Sequence, residues 1–484
     1  MFTKRKKKVI RSRLRNLRKL LFSAGVIIAI TAATLITSPS ASQAAVPLPC
    51  DIYGTAGTAC VAAHSTVRAL YAAYNGSLYQ VKRASDSATT NIGLLTAGGY
   101  ANASAQDSFC ANTSCITTVI YDQSPRHNDL TIEGPGTAGG QDVGANSAAL
   151  PVTAAGHKVY GVDIAGQTGY RHYVGAGVAV SGQPEGMYMV ASGTHVNSGC
   201  CFDYGNVEAQ IADTGNGHMD AVNLGTTCFF GPCSGSGPWV AGDLENGLFQ
   251  GNGSNVANRG NPTALVTALL KNNGQTTFAL KGGNSQSGGL TTWYSGILPS
   301  PGYSPMHQEG SIVLGTGGDN SNASIGSFFE GVMTAGYPTD AADNSVQANI
   351  VSVGYSPPGN ITGAGGQCVD VNGDDTGVDG SAVQLWTCQS YSVDQHWYHN
   401  TNGSLESLGR CLDIIGNGTA NGTKVELWDC NNVGGQNWQQ QANGSLLNPQ
   451  SGRCLDSPGG ATANGTRLQI WDCNGTAAQK FTLG

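Results

Sequence analysis

Two short segments set single carboxylates among small and amide-bearing neighbours: Asp243-Leu244-Glu245-Asn246-Gly247 and Gly317-Gly318-Asp319-Asn320. Cleavage of a glycosidic bond needs two carboxyl groups. One protonates the leaving oxygen, and the other attacks the anomeric carbon or activates water. Glu245 and Asp319 are the candidates for these roles. Each segment alone has plainer readings. An aspartate in a Gly-Gly-Asp-Asn run is most often a turn residue, and Asp-x-Glu could ligate calcium or lie on a solvated edge. Alternation along a strand would put Asp243 and Glu245 on one face, where both reach one pocket. Gly317 and Gly318 would let the backbone approach a ligand closely before Asp319.

A second constellation recurs three times near the C-terminus. Cys368-Val-Asp370 leads to Gln384-Leu-Trp386-Thr-Cys388 and then Gln395-His-Trp397. Cys411-Leu-Asp413 leads to Glu426-Leu-Trp428-Asp-Cys430 and then Gln436-Asn-Trp438. Cys454-Leu-Asp456 leads to Gln469-Ile-Trp471-Asp-Cys473 and then Gln479-Lys-Phe481. A unit this short cannot bury its own apolar face, so the three must pack together. Equivalent cysteines predict one disulfide inside each repeat: Cys368–Cys388, Cys411–Cys430 and Cys454–Cys473. Trp397, Trp438 and Phe481 read as core.

The elements that must position these residues are strands. Seventy glycines, few charges and many Asn-Gly and Ser-Gly pairs indicate an all-β chain with tight turns. The best helical pattern in the mature chain is Val61–Tyr74. Residues 1–45 read as an export signal: ten Lys/Arg between Lys4 and Lys19, an apolar run, then small residues up to Ala45. The net charge is −7 for the whole chain, and removing the signal leaves 14 basic against 31 acidic residues, a net charge of −17. Such a surface repels nucleic acid and anionic membranes and suits a neutral polysaccharide. An extracellular, secreted chain with fourteen cysteines should pair them. Local spacing suggests Cys50–Cys60, Cys110–Cys115 and Cys228–Cys233. The adjacent Cys200 and Cys201 leave their partners open. No metal or cofactor is expected, and the chain reads as a monomer.

The C-terminal repeats resemble the ricin-B-type β-trefoil lectin domain with its Gln-x-Trp motifs. That resemblance implies sugar binding by Asp370 with Trp386, Asp413 with Trp428, and Asp456 with Trp471. Members often carry Asn before the final Gln; here those positions hold Asp394, Gly435 and Ala478.

Residues 46–355 contain a further series of distinctive segments: Pro49–Tyr53, Val61–Tyr71, Tyr121–Ser124, Pro184–Tyr188, Cys200–Asn206 and Gly215–Met219. Together with the two carboxylate segments, and in this order, they resemble family 54 of the glycoside hydrolases, secreted α-L-arabinofuranosidases. The resemblance implies a concanavalin-like β-sandwich and retention of configuration through a covalent arabinosyl-enzyme. It implies Glu245 as nucleophile and Asp319 as general acid/base. Asp243, Asn246 and Gly318 would hold sugar hydroxyls, and a Cys200–Cys201 disulfide would wall the pocket. Glu245 should then be ionised, and the surroundings of Asp319 should raise its pKa, with the two carboxyl groups ~5–5.5 Å apart. Two positions depart from the family: Phe230 stands where Trp is common, and Gly247 where a second Asn can occur. The module also differs, since familiar fungal members end in a trefoil of another repeat type. The organisation expected is therefore a signal (1–45), a catalytic domain (46–355), a linker (356–366) and a trefoil (367–484). The expected substrate is a plant cell-wall polysaccharide, arabinoxylan or arabinan. A galactofuranosidase and a non-catalytic lectin are the alternatives.

Overall fold

The computed structural model describes residues 46–373, 378–389, 392–400 and 402–484. The segment read as an export signal lies outside the described residues. The rest forms one compact unit in which two antiparallel sheets stack face to face and a trefoil follows.

The seven-stranded sheet centres on Glu185–Ser192, Ile325–Ala335 and Leu265–Asn272. Every residue of Glu185–Ser192 and Leu265–Asn272 is buried, because both faces of the sheet are covered. On one face Met187, Met189 and Leu270 meet Tyr204, Val222 and Val240 of the second sheet. On the other, Tyr188, Val190 and Leu269 meet Val346 and Ile350 of the helix Asp340–Ser352. Double coverage produces continuous apolar runs instead of alternation, and burying each such side chain contributes about 1.5–3 kcal/mol.

Sequence periodicity does not reveal that helix. Its buried face includes Asp343, Gln347 and Asn349 beside Ala342, Val346 and Ile350. The polar members have partners: Lys271 and Lys281 both reach Asp343 at 2.8 Å, and Asn349 accepts from Arg68 at 2.7 Å. Thr339 caps the helix by accepting from the Ala342 N–H. Val61–Tyr74, conversely, is not helical. Cys60–Ser65 is a buried strand paired with Ile325–Ala335. Beyond it, the Ser65 hydroxyl accepts from the N–H groups of Val67 and Arg68, and the Arg68 guanidinium is anchored on Glu330. Sheet pairing and a buried ion pair override local helical spacing here.

The ten-stranded sheet carries the first site. Its strands run in the order Leu248–Phe249, Trp239–Asp243, Asp220–Gly225, Asp203–Val207, Ser311–Leu314 and Tyr170–His172, then four more. In the trefoil, Val369, Leu385, Leu412, Leu427, Leu455 and Ile470 share a core with Trp397, Trp438 and Phe481. The indole N–H groups of Trp397 and Trp438 donate to the Val369 and Leu412 carbonyls. The stretch 356–366, read as a linker, contains the strand Gly359–Thr362, which pairs with Trp397 and Leu483 and so belongs to the trefoil sheet. The trefoil rests on the sandwich through Lys158 and Glu406, 2.7 Å apart, and through Thr153 and Tyr398.

All seven disulfides expected from spacing, repeats and resemblance are present: Cys50–Cys60, Cys110–Cys115, Cys200–Cys201, Cys228–Cys233, Cys368–Cys388, Cys411–Cys430 and Cys454–Cys473.

Candidate active site and sugar-binding sites

The strand Trp239–Asp243 stops at Asp243, so Glu245 is not brought beside Asp243 by strand alternation. Asp243 pairs with Leu248 across a hairpin whose two central residues, Glu245 and Asn246, have φ of +69° and +55°. Positive φ at both central positions is the type I′ arrangement that matches strand twist, and it favours Asn and Gly. Asn246 suits it; a glutamate there is uncommon and marks a functional position. The turn is held at both ends of Glu245. Its N–H donates to Asp243 Oδ1 at 3.1 Å, and its carbonyl accepts from the Tyr303 hydroxyl at 2.8 Å. The Asn246 amide donates to Asp213.

Asp319 sits on a second tight turn, where the Asn320 N–H donates to the Gly317 carbonyl and Asn320 has a φ of +65°. The Asn320 amide donates to the carbonyls of Gly134 and Gly140, and Thr316 donates to its oxygen. A Cβ at Gly136 would overlap the Asp319 carbonyl, so the loop around Gly136 packs directly on this turn. Asp319 Oδ1 accepts from the Ser321 N–H at 2.9 Å, which leaves the other oxygen for chemistry.

The Cys200–Cys201 disulfide joins the two turns. Cys201 Sγ lies 3.4 Å from Asp243 Oδ2, the Cys201 N–H donates to the Ser321 carbonyl, and the Ser321 hydroxyl lies 3.7–3.8 Å from both sulfurs. Asp243, Glu245, Asn246, Cys200, Cys201, Gly318 and Asp319 are thus assembled in one place.

Three residues to which the sequence reading gave no role complete the site. Arg171, wholly buried on the strand Tyr170–His172, donates to the Gly318 carbonyl (2.8 Å), the Glu208 carbonyl (2.5 Å) and Glu133 (2.7 Å). It fixes the backbone on both sides of the pocket. Glu208 is buried against Gly318, where any Cβ would overlap its Oε2. Its carboxyl is in hydrogen-bonding contact with Glu245. Asp203 is likewise in contact with Asp243. No local motif marks Arg171 or Glu208, which come from a strand and a strand end, whereas Asp203 lies in the distinctive segment Cys200–Asn206.

Burial dominates the electrostatics. It pushes Asp243 up to about 7 and Asp203 well above the carboxylate range, so this pair shares a proton. Burial and the neighbouring Glu208 push Glu245 well above its usual value, and burial raises Glu208 as well. Burial and their mutual contact disfavour charging Glu208 and Glu245 together, so the two carboxyls titrate as a pair.

Phe230 lies at the rim, stacked on Phe249 with centroids 4.6 Å apart, and Phe249 meets Tyr303 edge-on. A Cβ at Gly247 would come within 2.8 Å of the Phe230 ring. The two departures from the family pattern are therefore one structural change: Phe230 occupies space that a side chain at 247 would need. Phe229, beside it in the Cys228–Cys233 loop, is exposed. His218, between the double cysteine and Glu245, pairs with Glu309 at 2.7 Å on the same side as Asp213.

In the trefoil, Asp370 accepts from the amides of Gln384 (2.7 Å) and Gln395 (2.9 Å), and Asp456 accepts from Gln469 (2.9 Å) and Gln479 (3.2 Å). In the second repeat Glu426 replaces that first glutamine, and Asp413 keeps Gln436 at 2.9 Å. Burial, then the nearby Asp413 carboxylate, raises Glu426. Trp428 and Trp471 are the exposed tryptophans, at 38% and 40%, while Trp386 is half-buried. An open cavity of about 500 Å³ lies over Asp456, Gln469, Trp471 and Asn474.

The comparisons with known proteins agree with this geometry. The family model described as Alpha-L-arabinofuranosidase B, catalytic, matches residues 49–356, and the model of the ricin-type beta-trefoil lectin domain matches 357–481. Alpha-L-arabinofuranosidase B of Emericella nidulans is 54% identical over 325 residues, covering 65% of this chain and 63% of that protein. The chain spans less than two thirds of the length of the curated relatives it matches. Two solved structures each superpose with a TM-score of 0.62 over 90% of this chain and 98% of theirs. They are a GH54 α-L-arabinofuranosidase soaked with a cyclic sulfate inhibitor (37% identical) and an arabinofuranosidase complexed with arabinofuranosyl-α-1,2-xylobiose (36% identical). By its catalytic region the chain belongs to the family of α-L-arabinofuranosidase B, and it carries a ricin-type β-trefoil lectin domain behind it.

Proposed function

We propose that the protein is a secreted, retaining exo-α-L-arabinofuranosidase that removes terminal arabinofuranosyl groups from arabinoxylan or arabinan, with the trefoil holding it on the polysaccharide. The observation that carries this reading is the meeting of the Glu245 hairpin turn, the Asp319 turn and the Cys200–Cys201 disulfide at one pocket. In the first step Glu245 attacks the anomeric carbon while Asp319 gives its proton to the departing oxygen. In the second, Asp319 takes a proton from water as that water displaces Glu245. Asp243 and Asn246 would orient the sugar hydroxyls, and the disulfide gives the ring an apolar wall. Protons balance between Asp319 and water, so no cofactor is needed. The bound GH54 relatives support the substrate class. The disulfides and the basic, apolar N-terminus support an extracellular location.

The test is release of nitrophenol from 4-nitrophenyl α-L-arabinofuranoside by the mature protein, with NMR of the first-formed arabinose. The α-anomer appearing first supports the reading; the β-anomer, or no release, overturns it. The paired Phe230–Gly247 change favours one second reading, a neighbouring furanoside such as the galactofuranoside, and the same assay with that substrate decides between them.

The trefoil gives a separable expectation. Asp456→Ala removes the carboxylate from the cavity beside Trp471 and takes one acceptor from each of Gln469 and Gln479. Retention on insoluble arabinoxylan should fall about 3- to 10-fold, while hydrolysis of the nitrophenyl glycoside stays within error. Unaltered retention would remove the third repeat from the binding surface.

A further inference from the structure

Glu208 has no part in the two-carboxylate scheme, yet it lies between the two catalytic turns. It follows the strand Asp203–Val207, with its carboxyl against Gly318 on one side and in contact with Glu245 on the other. Both of its side-chain oxygens are buried, and among the described residues its own backbone N–H and the Glu245 carboxyl are the groups that reach them. Arg171 binds the Glu208 carbonyl, not its carboxylate. Two buried carboxyls in contact, with no donor from another residue, are held together by a proton between them.

We propose that Glu208 is a positioning residue for Glu245: it takes the proton that the pair shares, donates its O–H to the Glu245 carboxylate, and keeps that proton through both steps. The inference rests on the furanosidase reading. When Glu245 forms the ester to the anomeric carbon, one of its oxygens enters the new bond and the other becomes the ester carbonyl. The Glu208 O–H points at that second oxygen. When water cleaves the ester, negative charge returns to Glu245 and the donated hydrogen bond strengthens. Glu208 thus assists departure of Glu245 more than its attack, and the proton never leaves Glu208. The absent side chain at Gly318 is the space in which this acid sits. The groups facing the pair are Arg171, Asp213, Asp243 and Glu309.

The experiment compares Glu208→Gln and Glu208→Ala on the nitrophenyl arabinofuranoside, whose good leaving group makes the second step limiting. Glutamine keeps an N–H donor that cannot ionise. It should retain kcat within about 5-fold and lose the alkaline fall in kcat that the wild type shows as Glu208 gives up its proton. Alanine should lower kcat about 10- to 100-fold and accumulate the covalent intermediate, visible by mass. Equal loss in both variants, with the wild-type alkaline limb intact, would overturn the proposal. Infrared spectra of protein labelled at glutamate give a readout without turnover. A protonated-carboxyl band at neutral pH that weakens in Glu208→Gln supports the shared proton even if the substrate reading fails. An unaltered band overturns the proposal even if that reading holds.

Discussion

Replacing Glu245 by glutamine should abolish hydrolysis of the nitrophenyl arabinofuranoside, with a loss of about 10⁴-fold or more. The variant should stay folded, because the contacts that hold residue 245 use its backbone. The N–H to Asp243 and the carbonyl to Tyr303 remain, and so does the left-handed φ. What disappears is an oxygen nucleophile, since a neutral amide cannot form the ester. The amide would also donate to Glu208, which is then free to ionise. An unfolding midpoint within a few degrees of wild type, beside lost activity, separates chemistry from stability. Binding of the intact substrate by calorimetry should persist, because Asp243, Asn246 and the disulfide wall are untouched. A variant that keeps a tenth of wild-type turnover would remove Glu245 from the nucleophile role and leave Glu208 or Asp243 to be tested in its place.

The parts of this site that were legible in the sequence are those carried by local chemistry. Asp243 to Gly247 and Gly317 to Asn320 announce themselves by crowding carboxylates, amides and glycines into a few residues. The structure uses them as two tight turns with left-handed residues at Glu245, Asn246 and Asn320. The repeats announced the trefoil because three copies of Cys-x-Asp, each followed by Gln-x-aromatic, must occupy equivalent places. What stayed hidden depends on residues distant in the chain. Arg171 lies 147 residues from the Gly318 it holds, and its local sequence, Tyr-Arg-His, resembles any half-polar strand. Glu208 follows a buried strand and precedes a polar loop, where a lone glutamate reads as solvated; only packing against Gly318 and Glu245 gives it meaning. The helix Asp340–Ser352 was hidden for a related reason. Half of its buried face is polar, with Asp343 held by Lys271 and Lys281, Asn349 by Arg68 and Gln347 by the Asn284 carbonyl, so no apolar stripe appears in the sequence. The hairpin at Glu245 shows the opposite error. Period-two alternation placed Asp243 and Glu245 on one strand face, but the strand ends before the glutamate is reached and a turn brings it back to Asp243 instead.

Asp319→Ala carries the second large effect, and its size should depend on the leaving group. A xylan-linked arabinose departs as an alkoxide unless it receives a proton, so loss of the acid should slow release from arabinoxylan about 10³- to 10⁴-fold. Nitrophenolate leaves without help. On the aryl substrate the first step should survive, and the missing base should instead slow water's attack on the arabinosyl-Glu245 ester. Azide is a nucleophile that needs no base. Added azide should restore nitrophenol release by the alanine variant and yield an arabinofuranosyl azide, while wild-type turnover is barely altered. This result would place Asp319 on the proton path of both steps. Its position suits the assignment: one carboxylate oxygen is bound by the Ser321 N–H, and the turn is anchored by Asn320 to the loop around Gly136 and by Arg171 to the strand Tyr170–His172. Equal losses on both substrates, without rescue by azide, would make Asp319 a structural member of its turn. The acid would then have to be sought among the other carboxyls of the pocket. Asp243 is the first of these, since burial lifts it to about 7 and it already shares a proton with Asp203. A bell-shaped pH profile that moves with substitution at residue 319, and not at 243, would decide between the two.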